Sequence, residues 1–153
     1  MRLKNIFFKR NTIVVAKQLL GKYLCHRVDG KIVRAKITET EAYCGQRDLA
    51  CHASRGLTER TKVMFGPPGH AYIYLIYGMY HCLNVVTRKV GCPEAVLIRS
   101  AEVSSIEYHV SGIKNKNKKI QNTKYSIQNT NLNGPGKLCR ALKIDKRLNG
   151  IDL

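Results

Sequence analysis

Apolar residues first recur at helical spacing between Thr12 and Leu20, at Ile13, Val15, Ala16, Leu19 and Leu20. Asn11 or Thr12 can cap this segment and Gly21 can end it, so the pattern predicts a short helix. Two strand-like runs follow, Tyr23 to Val28 and Lys31 to Tyr43, and the Asp29-Gly30 pair between them predicts a hairpin. Residues 44–69 are rich in charge, Gly and Pro, end in Gly66-Pro67-Pro68-Gly69, and read mainly as loop. His70 to Tyr77 and Cys82 to Thr87 are strand-like and separated by Gly78; Glu94 to Ala101 is a further strand centred on Val96, Leu97 and Ile98. From about residue 111 to 133, Lys, Asn, Gln, Thr and Ser dominate, which predicts a polar, flexible surface excursion. Apolar texture returns after Asn133-Gly134-Pro135-Gly136, where Leu138, Cys139, Ala141 and Leu142 predict a packed helix. The terminal Gly150-Ile151-Asp152-Leu153 predicts no closing element. This order of elements predicts an α+β fold, a single compact domain over residues 1–153 built around an antiparallel sheet.

The strand from Val33 to Tyr43 carries the most information. Strict alternation puts Val33, Ala35 and Ile37 on one face and continues that face as Glu39, Glu41 and Tyr43. The other face, Ile32, Arg34, Lys36, Thr38 and Thr40, is largely polar. Carboxylates at the end of an apolar face are costly unless they have partners or a task. A strand end leaving the core, with both glutamates exposed or paired to Lys, accounts for the same pattern, and one bulge would rotate them out.

Composition narrows the setting. A chain of 153 residues suits one domain, and no apolar run is long enough for a membrane-spanning helix. The Met-Arg-Leu-Lys-Asn start has no long apolar core, so no secretory signal and a cytoplasmic setting are expected. Lys and Arg number 27 against 10 Asp and Glu, a net charge of +17, which points first to nucleic acid. The six cysteines form no C-x-x-C pair, so they read as small core or surface residues rather than zinc ligands.

Five of the eight tyrosines, Tyr43, Tyr72, Tyr74, Tyr77 and Tyr80, fall between residues 43 and 80. Tyr72 and Tyr74 share a strand face, and Tyr77 adjoins Gly78. Tyrosines beside a basic surface suit base stacking, although tyrosine is also a good strand former. His52, in the loop after the acidic strand, could join Glu39 and Glu41 as a metal ligand or be a surface residue. Neither Gly66-Pro67-Pro68-Gly69 nor Gly134-Pro135-Gly136-Lys137 has the spacing of a nucleotide P-loop.

Several stretches together are specific. They are Leu19-Leu20-Gly21-Lys22, Glu39-Thr40-Glu41-Ala42-Tyr43, Met64-Phe65-Gly66-Pro67-Pro68-Gly69 and Tyr72-Ile73-Tyr74-Leu75-Ile76-Tyr77-Gly78-Met79-Tyr80. Leu83-Asn84-Val85, Val96-Leu97-Ile98-Arg99 and Asn133-Gly134-Pro135-Gly136-Lys137-Leu138-Cys139 complete the set. In this order the chain resembles the alkyladenine type of 3-methyladenine DNA glycosylase, over about residues 12–110 and 133–153.

The resemblance implies a curved antiparallel sheet flanked by helices, and a repair enzyme that flips alkylated or deaminated purines from double-stranded DNA. It implies hydrolysis of the N-glycosidic bond to an abasic site, without strand cleavage, metal or cofactor, by a monomer. The catalytic role would fall on Glu41, whose carboxylate positions and deprotonates a water. Tyr43, His52 and Tyr74 would surround the extruded base, and Asn84 would guard the pocket against normal guanine. Tyr77 would fill the vacancy in the duplex, Arg99 would lie near the backbone of the flipped nucleotide, and Arg60 and Lys137 would contact DNA. The family continues past the position of Leu153, and residues 111–133 match none of its motifs. Two other classes remain open on the residues alone: a catalytically silent basic nucleic-acid-binding protein, and a metal-dependent nuclease using Glu39, Glu41 and His52.

Overall fold

The computed structural model describes residues 2–108 and 132–153. Most of the predicted polar excursion, residues 111–131, therefore lies outside the described residues. Its last two positions are anchored: Leu132 is buried in the core and Asn133 forms an antiparallel bridge to Ser100.

The chain opens with a one-turn helix, α1 (Asn5–Phe8), followed by α2 (Thr12–Leu19). Asn11 caps α2, its side chain accepting hydrogen bonds from the Ile13 and Val14 amides at 3.0 and 3.3 Å. The buried stripe of α2 is Thr12, Val15, Ala16 and Leu19, and it shifts the predicted apolar face by a step. Ile13 and Leu20 are exposed, and Thr12 is buried because its hydroxyl meets Thr87 and Glu94.

Five strands follow: β1 (Tyr23–Val28), β2 (Lys31–Tyr43), β3 (Ala71–Ile76), β4 (Tyr80–Thr87) and β5 (Glu94–Tyr108). They form one antiparallel sheet in the order β1-β2-β5-β4-β3. The Asp29-Gly30 hairpin pairs Val28 with Lys31 as its sequence predicts. β5 runs seven residues beyond the predicted Ala101, because β2 offers it a ladder as far as the Lys31–Tyr108 pair. The loop at residues 44–69 contains only short helical turns, Gly45–Arg47, His52–Arg55 and Lys62–Phe65. Helix α3 (Pro135–Ala141) packs against β4 and β5, whose mutual pairing is confined to Asn84–Thr87 and Glu94–Leu97.

The tail does close the fold, contrary to its sequence reading. The Ala71 amide donates to Ile151 O at 2.8 Å, the Gly150 amide to Ala71 O at 2.7 Å and the Leu153 amide to Gly69 O at 2.9 Å. The Asn149 side chain accepts from the Ile73 amide at 2.8 Å. Part of the outer edge of β3 is thereby satisfied, which shortens the edge open to another strand.

A register irregularity decides where the chemistry lies. Residues paired across an antiparallel ladder share a face, so the ladders define rows across the sheet. One row is Ala42–Val96–Val85–Ala71, within or packed against the main core beside Val33, Ala35 and Ile37. The adjacent row, Glu41–Leu97–Asn84–Tyr72, has the opposite face. The strict alternation expected along β2 therefore fails. Ile37 pairs with Ala101 and Glu39 with Ser100, so Thr38 is an extra residue, and the register shifts again between Glu39 and Thr40. Thr40 now turns toward α2, donating to Ala16 O at 3.0 Å, and Glu41 and Tyr43 turn away from the main core. On that second face the loop at 44–69 folds down, and Cys51, Ala53 and Met64 pack with Tyr72, Val86 and Ala95 into a smaller core.

Candidate active site

The second face gathers most of the sequence-predicted residues. Glu41 sits on β2, Tyr72 and Tyr74 on β3 and Asn84 on β4, all on the same side of the sheet, and the loop brings His52 over them. Tyr43, His52, Tyr72, Tyr74 and Asn84, with Ala50, Cys51, Met64 and Ala95, line a cavity of about 30 Å³. Glu41 stands beside this cavity rather than in its wall. Tyr43 links the two, because its ring lines the cavity while its hydroxyl donates to Glu41 Oε2 at 2.8 Å.

The carboxylate of Glu41 is held from both sides. Arg99 Nη1 donates to its Oε1 at 2.9 Å, and Arg99 Nε reaches Glu39 Oε1 at 3.0 Å. Charge-assisted bonds of this kind fix a side chain better than neutral ones. Burial, then the hydrogen bond to Glu41, pushes the Tyr43 phenol up to about 12, so it remains a donor across the physiological range.

The aromatic wall is closely built. The His52 and Tyr74 rings meet edge to face with centroids 4.4 Å apart, and Tyr72 lies 5.5 Å from Tyr74. His52 Nδ1 is 2.9 Å from the Tyr72 hydroxyl. Burial, then the positive charges of Arg60 and Arg55, lowers the His52 pKa, so the imidazole is neutral at pH 7. Burial raises both the Tyr72 and Tyr74 phenols. Asn84 is 2% exposed, and its amide nitrogen donates to Tyr72 O at 3.2 Å and Cys82 O at 3.4 Å.

The three remaining candidates lie on the surface. Tyr77 is 83% exposed at the tip of the β3–β4 hairpin. It has φ 53° and Gly78 has φ 68°, and the Met79 amide donates to Ile76 O at 3.1 Å. Two central residues at positive φ make the tight hairpin turn that Asn-Gly usually occupies. Arg60 is exposed, lies 5.3 Å from the Tyr74 ring centroid and donates to Leu75 O at 3.3 Å. Lys137 is exposed on α3, next to Gly136, which packs on Tyr80. Ala50, Cys51, Met64, Ala95 and Tyr72 are the wall residues absent from the sequence-based pocket, and Tyr72 is the aromatic one among them. Its alternation with Tyr74 was the signal that could have found it. Glu39, Glu41 and His52 do not converge: among the described residues no group of three or more His, Cys, Asp or Glu could hold a metal ion. No helix among them is long and apolar enough to cross a membrane.

Comparison with known proteins gives this face its context. The sequence pattern of the methylpurine-DNA glycosylase family matches residues 6–153. The chain belongs to that family. Relatives named for 3-methyladenine DNA glycosylase include one from Legionella pneumophila (strain Corby), 51% identical over 152 residues, which are 99% of this chain and 72% of the relative. One from Methanocella arvoryzae is 50% identical over 147 residues, 96% of this chain and 70% of the relative. One from Alkaliphilus oremlandii is 51% identical over 160 residues, 100% of this chain and 76% of the relative. Membership in the methylpurine-DNA glycosylases makes the chain a DNA glycosylase by family, in keeping with its charge of +17.

Proposed function

We propose that the protein flips an alkylated or deaminated purine out of duplex DNA and hydrolyses its N-glycosidic bond with Glu41 as general base. One observation carries this reading: a carboxylate held between Arg99 and Tyr43 at the edge of an aromatic cavity, on the face of the sheet away from the main core. A stacked base is out of reach of such a site, and extruding it costs a few kcal/mol. Tyr77, held outward by its turn, supplies a ring to stack in the vacancy and offset part of that cost.

The extruded purine binds against Tyr43, His52 and Tyr74. Their faces attract a cationic alkylated base beyond simple stacking, and a neutral His52 adds no repelling charge. Asn84, fixed by two backbone carbonyls, presents a rigid amide that discriminates among purine edges. Arg99 lies near the backbone of the flipped nucleotide, and Arg60 and Lys137 meet DNA on the exposed surface.

Glu41 takes a proton from water as the water oxygen bonds to the anomeric carbon. The bond from that carbon to the purine nitrogen breaks, and its electron pair leaves with the base. A cationic alkylated purine departs neutral, so no second acid is needed for it, whereas a deaminated purine takes up a proton from solvent as it leaves; Glu41 also stabilises the developing oxocarbenium charge. No lysine lines the cavity among the described residues, and the product is an abasic site in an unbroken strand.

The test is a duplex holding one 7-methylguanine, incubated with protein and chelator. Free base with the strand intact is expected, and Glu41→Gln should bind the duplex yet release base orders of magnitude more slowly. Strand scission that chelator abolishes, or DNA binding with no base released, would overturn the proposal.

A further inference from the structure

Resting on the reading of Glu41 as the base, we propose that Glu39 and Ser100 are positioning residues that aim Arg99 at Glu41 and tie the catalytic carboxylate to the start of α3. The Ser100 hydroxyl is buried where the β2–β5 register is irregular. It lies 2.9 Å from Glu39 Oε2 and 3.1 Å from Asn133 Oδ1, and it accepts the Gly134 amide at 3.2 Å. A hydroxyl has one proton, and the ionised Glu39 is the stronger acceptor, so that proton goes to Glu39. The Gly134 amide then occupies a lone pair of Ser100 and fixes the direction of the hydroxyl. Glu39 in turn accepts Arg99 Nε at 3.0 Å, which leaves Nη1 to meet Glu41 Oε1 at 2.9 Å.

The chain of contacts from Gly134 through Ser100, Glu39 and Arg99 to Glu41 gives the half-exposed Arg99 side chain one orientation. A lone guanidinium on a flexible stem beside a half-exposed carboxylate would otherwise sample many. The register shift serves this purpose: it brings Glu39 opposite Ser100 and Glu41 onto the cavity face, with one arginine between the two glutamates. Glu39 touches no reacting atom and acts only through Arg99.

Single-turnover base release from the 7-methylguanine duplex at saturating protein tests this, with duplex affinity measured alongside. Glu39→Gln and Ser100→Ala should each slow base release between about 10- and 100-fold, the scale of small misplacements of a catalytic group. Affinity should stay within roughly twofold, because the loss is confined to the chemical step. Ser100→Thr keeps a hydroxyl and should recover most of the rate, which a merely structural role at the core edge would not give. Added to Glu41→Gln, neither change should cost anything further, since their effect passes through Glu41. Wild-type release in folded Glu39→Gln and Ser100→Ala, with Glu41→Gln inactive, overturns the positioning role alone. Wild-type release in Glu41→Gln overturns the reading of the base, and this proposal with it.

Discussion

Tyr43 and Glu41 are joined by a 2.8 Å hydrogen bond although they are two residues apart on the same strand. The phenol is thus both a wall of the cavity and a donor to the carboxylate beside it. Tyr43→Phe separates these tasks. The ring remains, so damaged-duplex affinity should change little, while base release should fall by about 10- to 160-fold as Glu41 loses a charge-assisted bond worth roughly 1.5–3 kcal/mol. An unchanged rate constant would show that Arg99 alone holds Glu41.

The same phenol gives a pH signature. Its folded pKa, about 12, lies above its ordinary value of 10.0, because burial and Glu41 disfavour the phenolate. For an acid with a raised folded pKa, the stability it contributes is fully present below the unfolded value and is lost as pH rises through the folded one. Chemical denaturation at a series of pH values should therefore show stability falling between about pH 10 and 12, and less steeply in Tyr43→Phe. The two proteins behaving alike over that window would mean that the phenol is already solvated.

His52 titrates in the opposite sense. Its folded pKa is below 6.5, through burial first and then Arg60 and Arg55, so its contribution is present above pH 6.5 and lost as pH falls below it. Protonation would also put a cation beside a cationic base. Base release from 7-methylguanine should decline toward low pH, and Arg60→Gln, which removes a charge that lowers the His52 pKa, should move that decline to higher pH. Proton NMR of the His52 ring in both proteins checks the cause directly; a His52 pKa that is the same or lower in Arg60→Gln rejects it.

The hairpin tip sets stability against function. Tyr77 holds φ 53°, a region that costs a residue with a Cβ roughly 1–2 kcal/mol. Nothing is buried in return, since the side chain is 83% exposed. Strain without packing at an exposed aromatic fits a residue kept for what it does to DNA. Tyr77→Gly should raise the melting temperature, or leave it unchanged, while weakening flipping by about 1–3 kcal/mol, the value of one base–aromatic stack. A lowered melting temperature would mean that the ring packs against its own protein.

Much of this was legible beforehand. The Asp29-Gly30 hairpin, the strands around Gly78 and the polar loop before them follow from local chemistry, and the structure has them where local chemistry puts them. The face of Glu41 was not legible, because an extra residue at Thr38 is invisible to counting by twos and exists only through the partner strand. The far end of β5 was missed for a related reason: its polar alternation becomes a strand only against β2. Tyr72 could have been placed with Tyr74, but its bond to His52 crosses a loop whose path no spacing rule gives. Ser100 and Glu39 meet only once the two register shifts align them.

The last prediction turns on Gly136, near the start of α3. Its φ is not positive, so its own backbone tolerates alanine, and alanine would favour a helix by about 1 kcal/mol. A Cβ there would lie 3.0 Å from both Cβ and Cγ of Tyr80, which sit close to the backbone and cannot swing away as a flexible tip could. Overpacking of that kind costs about 1–3 kcal/mol, so Gly136→Ala should be net destabilising despite the gain in helix propensity. Removing the neighbouring side chain resolves the two terms: in a Tyr80→Gly background the Cβ, Cγ and ring contacts are all gone, and Gly136→Ala should become stabilising. The strain in the single variant also has a route to the chemistry, since α3 carries Lys137 and begins at the Gly134 amide that holds Ser100. Base release in Gly136→Ala should therefore slow more than its melting temperature alone implies, and recover in part in the double variant. A sign that stays destabilising without any Tyr80 side chain would show that helix α3 needs glycine for some reason other than this contact.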